Sequence, residues 1–376
     1  MSFFQTFKQE LQTVFGDAAI ALTIIGGVVL YAFLYPQPYL AQNVTSIPVS
    51  VVDYDHSRLS RAISAKLNAT ASVDIVQEDT NLLEAKEALL KEKVFAVVVF
   101  PKDLEKKLYT HRQPTIEINA NNNYFLLFGG VLEGAMKSIL TEVGAKKVQS
   151  SLISGVPLKF AINSYAPYHL KTINLFNEYN SYTQYVLPAV FVLILQQTLL
   201  IGMGIVAGGV RERAYKNYHY NVSVLHVLLS RYIIFGTLFF LHSLFYFGFV
   251  FDFFGISHLA SGLEIVVLSL VSIFAFLGFG YFLGSFFTSR EMATAFVLVS
   301  SLPFIFSAGF IWPKEQMALW VVYLSECIPS TSAIFAFLKL NQMGLGAEAL
   351  HTEVLFLFLQ GVFYTVFGYY MYKKRA

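Results

Sequence analysis

Four polar residues sit inside runs that are otherwise apolar, which makes them the first candidates for chemistry: Gln196, Gln197, His242 and Glu326. An ionisable side chain at bilayer depth costs about 2.5–3.5 kcal/mol on insertion scales, and where it occurs it marks proton relays and substrate paths. His242 has two readings, a proton relay or a neutral imidazole bonded to a neighbouring helix. Gln196 and Gln197 either face a substrate path or bond between helices. Glu326 either lines an exit path or points to outside water. A second set differs in kind. Arg211, Glu212, Arg213 and Lys216 follow an apolar run directly. They anchor its orientation, and on a loop between two spans they can also dock a cytoplasmic partner and pass a push to both. Asp53 and Asp55 end a strand, where they can bind a cation or, more commonly, accept turn and cap hydrogen bonds.

Much chemistry is missing. No GxxxxGK(S/T), GxSxG, HExxH or CxxC pattern occurs, so no phosphate loop, nucleophile elbow or motif-borne metal site is expected. The single cysteine, Cys327, excludes an intrachain disulfide framework and any multi-cysteine metal site. Asn43-Val44-Thr45 and Asn68-Ala69-Thr70 match the glycosylation pattern, a weak signal. No catalytic role, metal or cofactor on this chain, and no nucleic-acid partner, is expected.

The elements that must position these residues are mostly membrane spans. Only 13% of residues are charged, against about 25% in soluble chains. The 37 Phe and 22 Tyr leave much of the surface facing lipid or its boundary. Glu178 and Arg211 enclose 32 uncharged residues, more than the roughly 20 that a helix needs to cross a bilayer. Charge-free windows place spans at 18–35, 183–207, 231–252, 264–287, 292–312 and 353–372. Ahead of the first, residues 1–17 hold an amphipathic helix lying on the membrane. Phe3, Phe4, Phe7, Leu11 and Phe15 share one face, while Gln5, Lys8, Gln9 and Gln12 share another. The first apolar run is read as an uncleaved span rather than a signal peptide, since it is long, carries Glu10 and Asp17 ahead of it and has no clear cleavage site.

Residues 36–182 change character. Short β-branched runs at 47–55, 73–77, 94–101 and 115–120 predict strands. Helical spacing at 57–68, 81–93 and 102–109 alternates with them, with Ser57 and Asn81 as N-caps. This alternation predicts an α/β domain. A long helix follows from Tyr124 to about Ile153 despite glycines 129, 130, 134 and 144, and Pro157 and Pro167 then mark a linker. The expected fold is therefore an α-helical integral membrane protein of six spans with an inserted α/β extracytoplasmic domain.

Lys and Arg test the topology. Lys8, Arg211, Arg213, Lys216, Arg290 and Lys373–Arg375 fall on one side of a six-span arrangement, and the turn at 252–264 has none. Both termini are then cytoplasmic. The segment 314–340 is apolar enough for a seventh span, but it holds Glu326 and Pro329. A seventh crossing would place the C-terminal basic run outside, so two outer re-entrant half-helices buried against protein are expected.

This organisation resembles the type-2 ABC exporter permeases that carry a large extracytoplasmic domain after the first span. IPVSVVDYDHSRLSRAI at 47–63 and EAKEALLKEKVFAVVVFPKDLEKKL at 84–108 resemble that domain's strand–helix units. VRERAYKN at 210–217 sits where the family carries its charged cytoplasmic loop. PFIFSAGFIWPKEQMALWVVYLSECIPSTSAI at 303–334 resembles its fifth span and outer re-entrant segment, with a G-(F/Y)-x-x-P-x-E-x-M run at Gly309–Met317. The loop departs from the family's E-R-E-x-G-T-x-E pattern: Ala214-Tyr215-Lys216-Asn217 follows Arg213.

The resemblance implies a transport subunit in a bacterial cytoplasmic (inner) membrane. ATP and Mg would be handled by a separate cytoplasmic ATP-binding subunit pushing on 208–230 and the N-terminal helix. A second permease chain, identical or paralogous, would complete the path, and the outer domain would receive substrate or dock a periplasmic adaptor. The cargo class is amphipathic, lipid-like or drug-like. The rival from another class is an ATP-independent scaffold or receptor whose outer domain binds a partner protein. A membrane enzyme ranks third, because no convergent catalytic set appears.

Overall fold

The structure, a computed structural model of the full chain, describes residues 1–40, 44–110, 112–121, 124–165, 175–177, 181–216 and 218–375. Asn43, Pro167 with most of its linker, and Asn217 lie outside the described residues. Contacts divide the chain into two compact units, Met1–Gln42 with Asn174–Ala376, and Asn43–Ile173.

The first unit opens with α1 (Phe3–Gly16), started by a capping box in which Ser2 and Gln5 satisfy each other's backbone N–H groups. Asp17 breaks the helix and caps α2 (Ala18–Tyr39), accepting from the N–H groups of Ala19 and Ile20. A π-helical turn interrupts α2 at Leu22–Gly27.

The second unit runs β1 (Ile47–Asp53), α3 (Arg58–Asn68), β2 (Val73–Asp79), α4 (Leu82–Leu90), β3 (Ala96–Phe100), α5 (Leu104–Tyr109), β4 (Glu117–Ala120), α6 (Phe125–Ile153) and α7 (Leu158–Tyr165). Its sheet has the order β2-β1-β3-β4, with the first three strands parallel and β4 antiparallel to β3. Every residue of β3 is buried, as expected of a strand covered on both faces. Ala96, Val98 and Phe100 pack with α3 and α6, and Val97 and Val99 pack with α4. Ser57 and Asn81 cap α3 and α4. The glycines of α6 do not break it. A Cβ on Gly134 would lie 2.9 Å from Ser72 and 3.2 Å from Val73, so glycine lets the helix lie close against the start of β2.

The first unit resumes with α8 (Tyr182–Arg211), α9 (Val224–Phe254), α10 (Gly262–Gly284), α11 (Arg290–Ser307), α12 (Leu319–Glu326), α13 (Pro329–Gln342) and α14 (Glu348–Arg375). Among the described residues, α2, α8, α9, α10, α11 and α14 are each long and apolar enough to cross a membrane. α8 is buried along nearly its whole length and packs against α2, α9, α10, α11 and α13, so it is apolar all round. α11 is the opposite, with only 11% of its span buried.

α8, α9 and α14 run beyond their charge-free windows because charged residues such as Arg211, Arg231 and Glu353 lie inside the helices, and α2 continues past position 35 to Tyr39. α11 stops short at Ser307, where Gly309 turns the chain with φ +94°. α12 and α13 meet at 85°. The residue before a proline disfavours helical geometry, and Ile328 is extended while Pro329 opens the next helix.

Candidate functional site

One end of the first unit gathers α1, the 212–223 loop, the α10–α11 turn and the C-terminus of α14. Sequence spacing alone does not place them together. Arg211, the last residue of α8, donates to the carbonyls of Ser285 (2.6 Å) and Phe287 (3.1 Å). Arg375 donates to the same Ser285 carbonyl. Two cations thus hold the open C-terminal end of α10, which carries unpaired carbonyls and partial negative charge. On the α11 side, a Cβ on Gly208 would lie 2.3 Å from the Ser289 carbonyl, so only glycine lets α8 approach this turn. Arg290 pairs with Asp17 at 2.6 Å and lies over the Tyr215 ring.

The N-terminal helix has three faces rather than two. Phe4, Leu11 and Phe15 are exposed, and Gln5, Lys8 and Gln12 form the exposed polar side. The third face, Thr6, Gln9, Glu10 and Val14, is buried. This corrects the two-faced expectation for Gln9, which packs inward. Its Oε1 accepts from the His219 N–H at 2.9 Å, and its amide donates to the His219 carbonyl at 3.4 Å. Glu10 is wholly buried, accepts from Arg231 Nε at 2.8 Å and takes the Tyr218 hydroxyl on its other oxygen. Burial, reinforced by the Glu10 charge, raises the Tyr218 pKa and keeps the phenol protonated as a donor. Burial also pushes Tyr215 up to about 12, against the lowering effect of Arg290. Tyr215 in turn donates to the Ile205 carbonyl of α8 at 3.3 Å.

The four loop candidates therefore divide. Arg211 is half-buried and engaged in structure. Glu212, Arg213 and Lys216 are exposed. Arg213 has left-handed backbone (φ +56°) and lays its guanidinium over Tyr220 at 5.6 Å. Residues that sequence reasoning missed are Glu10, Arg231 and Tyr218. Glu10 counted only against a signal peptide and Arg231 only as a span boundary, although Glu10 falls between the two faces assigned to α1.

The intramembrane candidates do not form one constellation. No hydrogen bond or ion pair joins any two of Gln196, Gln197, His242 and Glu326 among the described residues. Gln196 accepts from the Ser330 N–H at 2.7 Å, so it caps the helix that starts at the bend. Gln197 and the His242 Nδ1 are buried without a partner among the described residues. Glu326 pairs with Lys314, its carbonyl accepts from Gln360 at 2.6 Å, and the next carbonyl, Cys327, accepts from Tyr364. In the second unit, Asp53 accepts from the N–H groups of Asp55 and His56 and from Ser60, and Asp55 accepts from the Glu105 N–H. Those are the turn and cap roles.

Comparison with known families decides the class. The family model described as ABC-2 family transporter protein matches residues 18–370. The chain belongs to that family. Comparison with the curated proteins finds no match. As an ABC-2 family chain with six helices, among the described residues, long and apolar enough to cross a membrane, it is a multi-pass membrane protein and the membrane component of an ABC transporter. The gathered end of the first unit carries the exposed charges of Glu212, Arg213 and Lys216.

Proposed function

We propose that the chain is the permease subunit of an exporter driven by ATP hydrolysed on a separate cytoplasmic subunit. The observation that carries this reading is the buried stitching of α1 and the 212–223 loop to α8, α9 and the α10–α11 turn. A force applied to the exposed Glu212, Arg213 and Lys216 reaches four spans through Arg211, Tyr215, Arg290 and the Glu10–Arg231 pair. Family membership supports the ATP-binding partner. ATP and Mg belong to that partner, and this chain is read as non-enzymatic. The exported class is amphipathic, lipid-like or drug-like, and two permease chains complete the path.

Lysine and arginine bias supports an orientation with both termini inside and the Asn43–Ile173 unit outside, and the family points to a bacterial cytoplasmic membrane. On that orientation α12 and α13 are outer re-entrant half-helices. Leu152, Ile153, Leu158 and Phe160 are exposed at the end of α6 and on α7. They suit docking of a periplasmic adaptor, and equally the rival reading of a scaffold that binds a partner without ATP.

Crosslinking separates the two readings. Cys327→Ser removes the only thiol, and Lys216→Cys then places one on the loop. The exporter reading expects a crosslink from residue 216 to a nucleotide-binding protein in native membranes. Capture of outer-domain partners with no product at residue 216 supports the scaffold.

A further inference from the structure

A cavity of about 730 Å³ opens between α11, α12 and the inner parts of α10 and α14. Its walls are almost wholly hydrocarbon: Phe304, Trp312, Trp320, Leu324 and Ile328, with Phe279 at the far end. α10 and α14 both start on the side where α11 ends, and Phe279 and Tyr364 lie past the middle of their helices. The slot therefore runs from the loop around Trp312 past the midpoints of α10 and α14, deep enough to take an extended acyl chain.

Three of the polar groups along it are already engaged within the protein. Ser325 donates to the Val322 carbonyl at 2.8 Å, Cys327 to Tyr323 at 3.4 Å and Tyr364 to Cys327 at 2.6 Å. Lys314, beside the mouth, is paired with Glu326 and sits 4.5 Å from the centre of the Phe335 ring. A cargo finds few hydrogen bonds on offer, from the Ser307 hydroxyl and the two indole N–H groups, and most of the wall is hydrocarbon. Helix association within membranes relies on small residues and on polar groups that reach across. This wall has bulky Phe, Trp, Leu, Ile and Met instead, which disfavours a second permease copy. Two tryptophans at one end match the preference of indole for the membrane boundary.

We propose that this slot binds one acyl chain of a phospholipid from the surrounding leaflet, with the headgroup left at the Trp312 end. The inference rests on the reading of α12 and α13 as dipping into the bilayer, and it does not require the lipid to be cargo.

The chain has only two tryptophans and one cysteine, and all three line the slot. Intrinsic fluorescence therefore reports on it directly. Full-length protein in detergent micelles is titrated with phosphatidylcholine brominated along its acyl chains. The expected result is quenching that saturates, is reversed by unbrominated lipid and slows thiol labelling of Cys327. Ser325→Phe, and separately Ser307→Phe from the opposite wall, exclude about two methylenes of the chain and weaken the saturable phase about tenfold. Unchanged elution and unfolding temperature show that each variant is folded.

Quenching that grows in proportion to brominated lipid and ignores both substitutions would overturn the site while leaving the segment in the bilayer. No quenching in brominated bilayers would overturn the re-entrant reading as well. Lipid-insensitive fluorescence together with efficient crosslinking of Cys327 between two copies would assign the groove to a permease dimer and overturn the proposal.

Discussion

Glu10 and Arg231 lie 221 positions apart, and each is almost fully removed from solvent. Breaking a buried pair by removing one partner costs about 3–5 kcal/mol, whereas replacing both with well-packed apolar groups is often near neutral. Glu10→Leu is therefore expected to lower the unfolding temperature in detergent sharply, and Glu10→Leu combined with Arg231→Met to recover most of the loss. A double variant as unstable as the single one would assign the damage to lost packing. Tyr215 supplies a pH test. Its folded-state pKa is raised from 10.0 to about 12. Its contribution is thus present below about pH 10 and lost as pH rises toward 12. Tyr215→Phe should flatten the fall in stability across that window, read from unfolding temperature against pH. Such pairs are hard to read from sequence because their signal is a distant partner. Glu10 was read only as a charge ahead of the first span, and nothing local named Arg231 or Tyr218. The turn roles of Asp53 and Asp55 were legible because their partners lie close in the chain or on the neighbouring α5.

Elements were far more legible than contacts. β-branched runs bounded by turn residues mark β1 to β4 to within a few positions, and charge-free windows mark the spans, because burial on both faces and burial in lipid leave direct compositional traces. Helix ends were less legible, since α8, α9 and α14 carry charged residues within their terminal turns. The 85° bend between α12 and α13 was readable from Pro329, and its cap from Gln196 was not. Close packing of elements yields its own prediction. Gly208→Ala places a Cβ against the Ser289 carbonyl, so α8 and the α10–α11 turn must separate. Overpacking of this kind costs about 1–3 kcal/mol. Gly16→Ala meets nothing within 4 Å and should leave stability nearly unchanged. Comparing the two unfolding temperatures checks whether close approach at Gly208, rather than loss of glycine as such, is what matters.

At the scale of the whole chain, the Asn43–Ile173 unit has its own sheet and two buried clusters, one on each face. A segment with its own core can fold alone. Expressed by itself it should be monomeric in solution and unfold in one cooperative transition by circular dichroism; a molten or insoluble product would mean that its core needs the rest of the chain. Family membership was legible from the order of four motifs. The division of labour within the loop was not, because it depends on which charges the fold consumes. Arg211 is held in structure, so on the exporter proposal Arg213 and Lys216 are the loop cations left for a partner. The most direct test is purification of tagged chain from native membranes with an ATPase assay of the eluate, for wild type and for Arg213→Glu combined with Lys216→Glu. Wild type is expected to co-elute with an ATPase, and the variant, which should remain folded and inserted, to lose or uncouple it. A wild-type chain that elutes without any nucleotide-hydrolysing partner, under conditions that preserve complexes, would contradict the account.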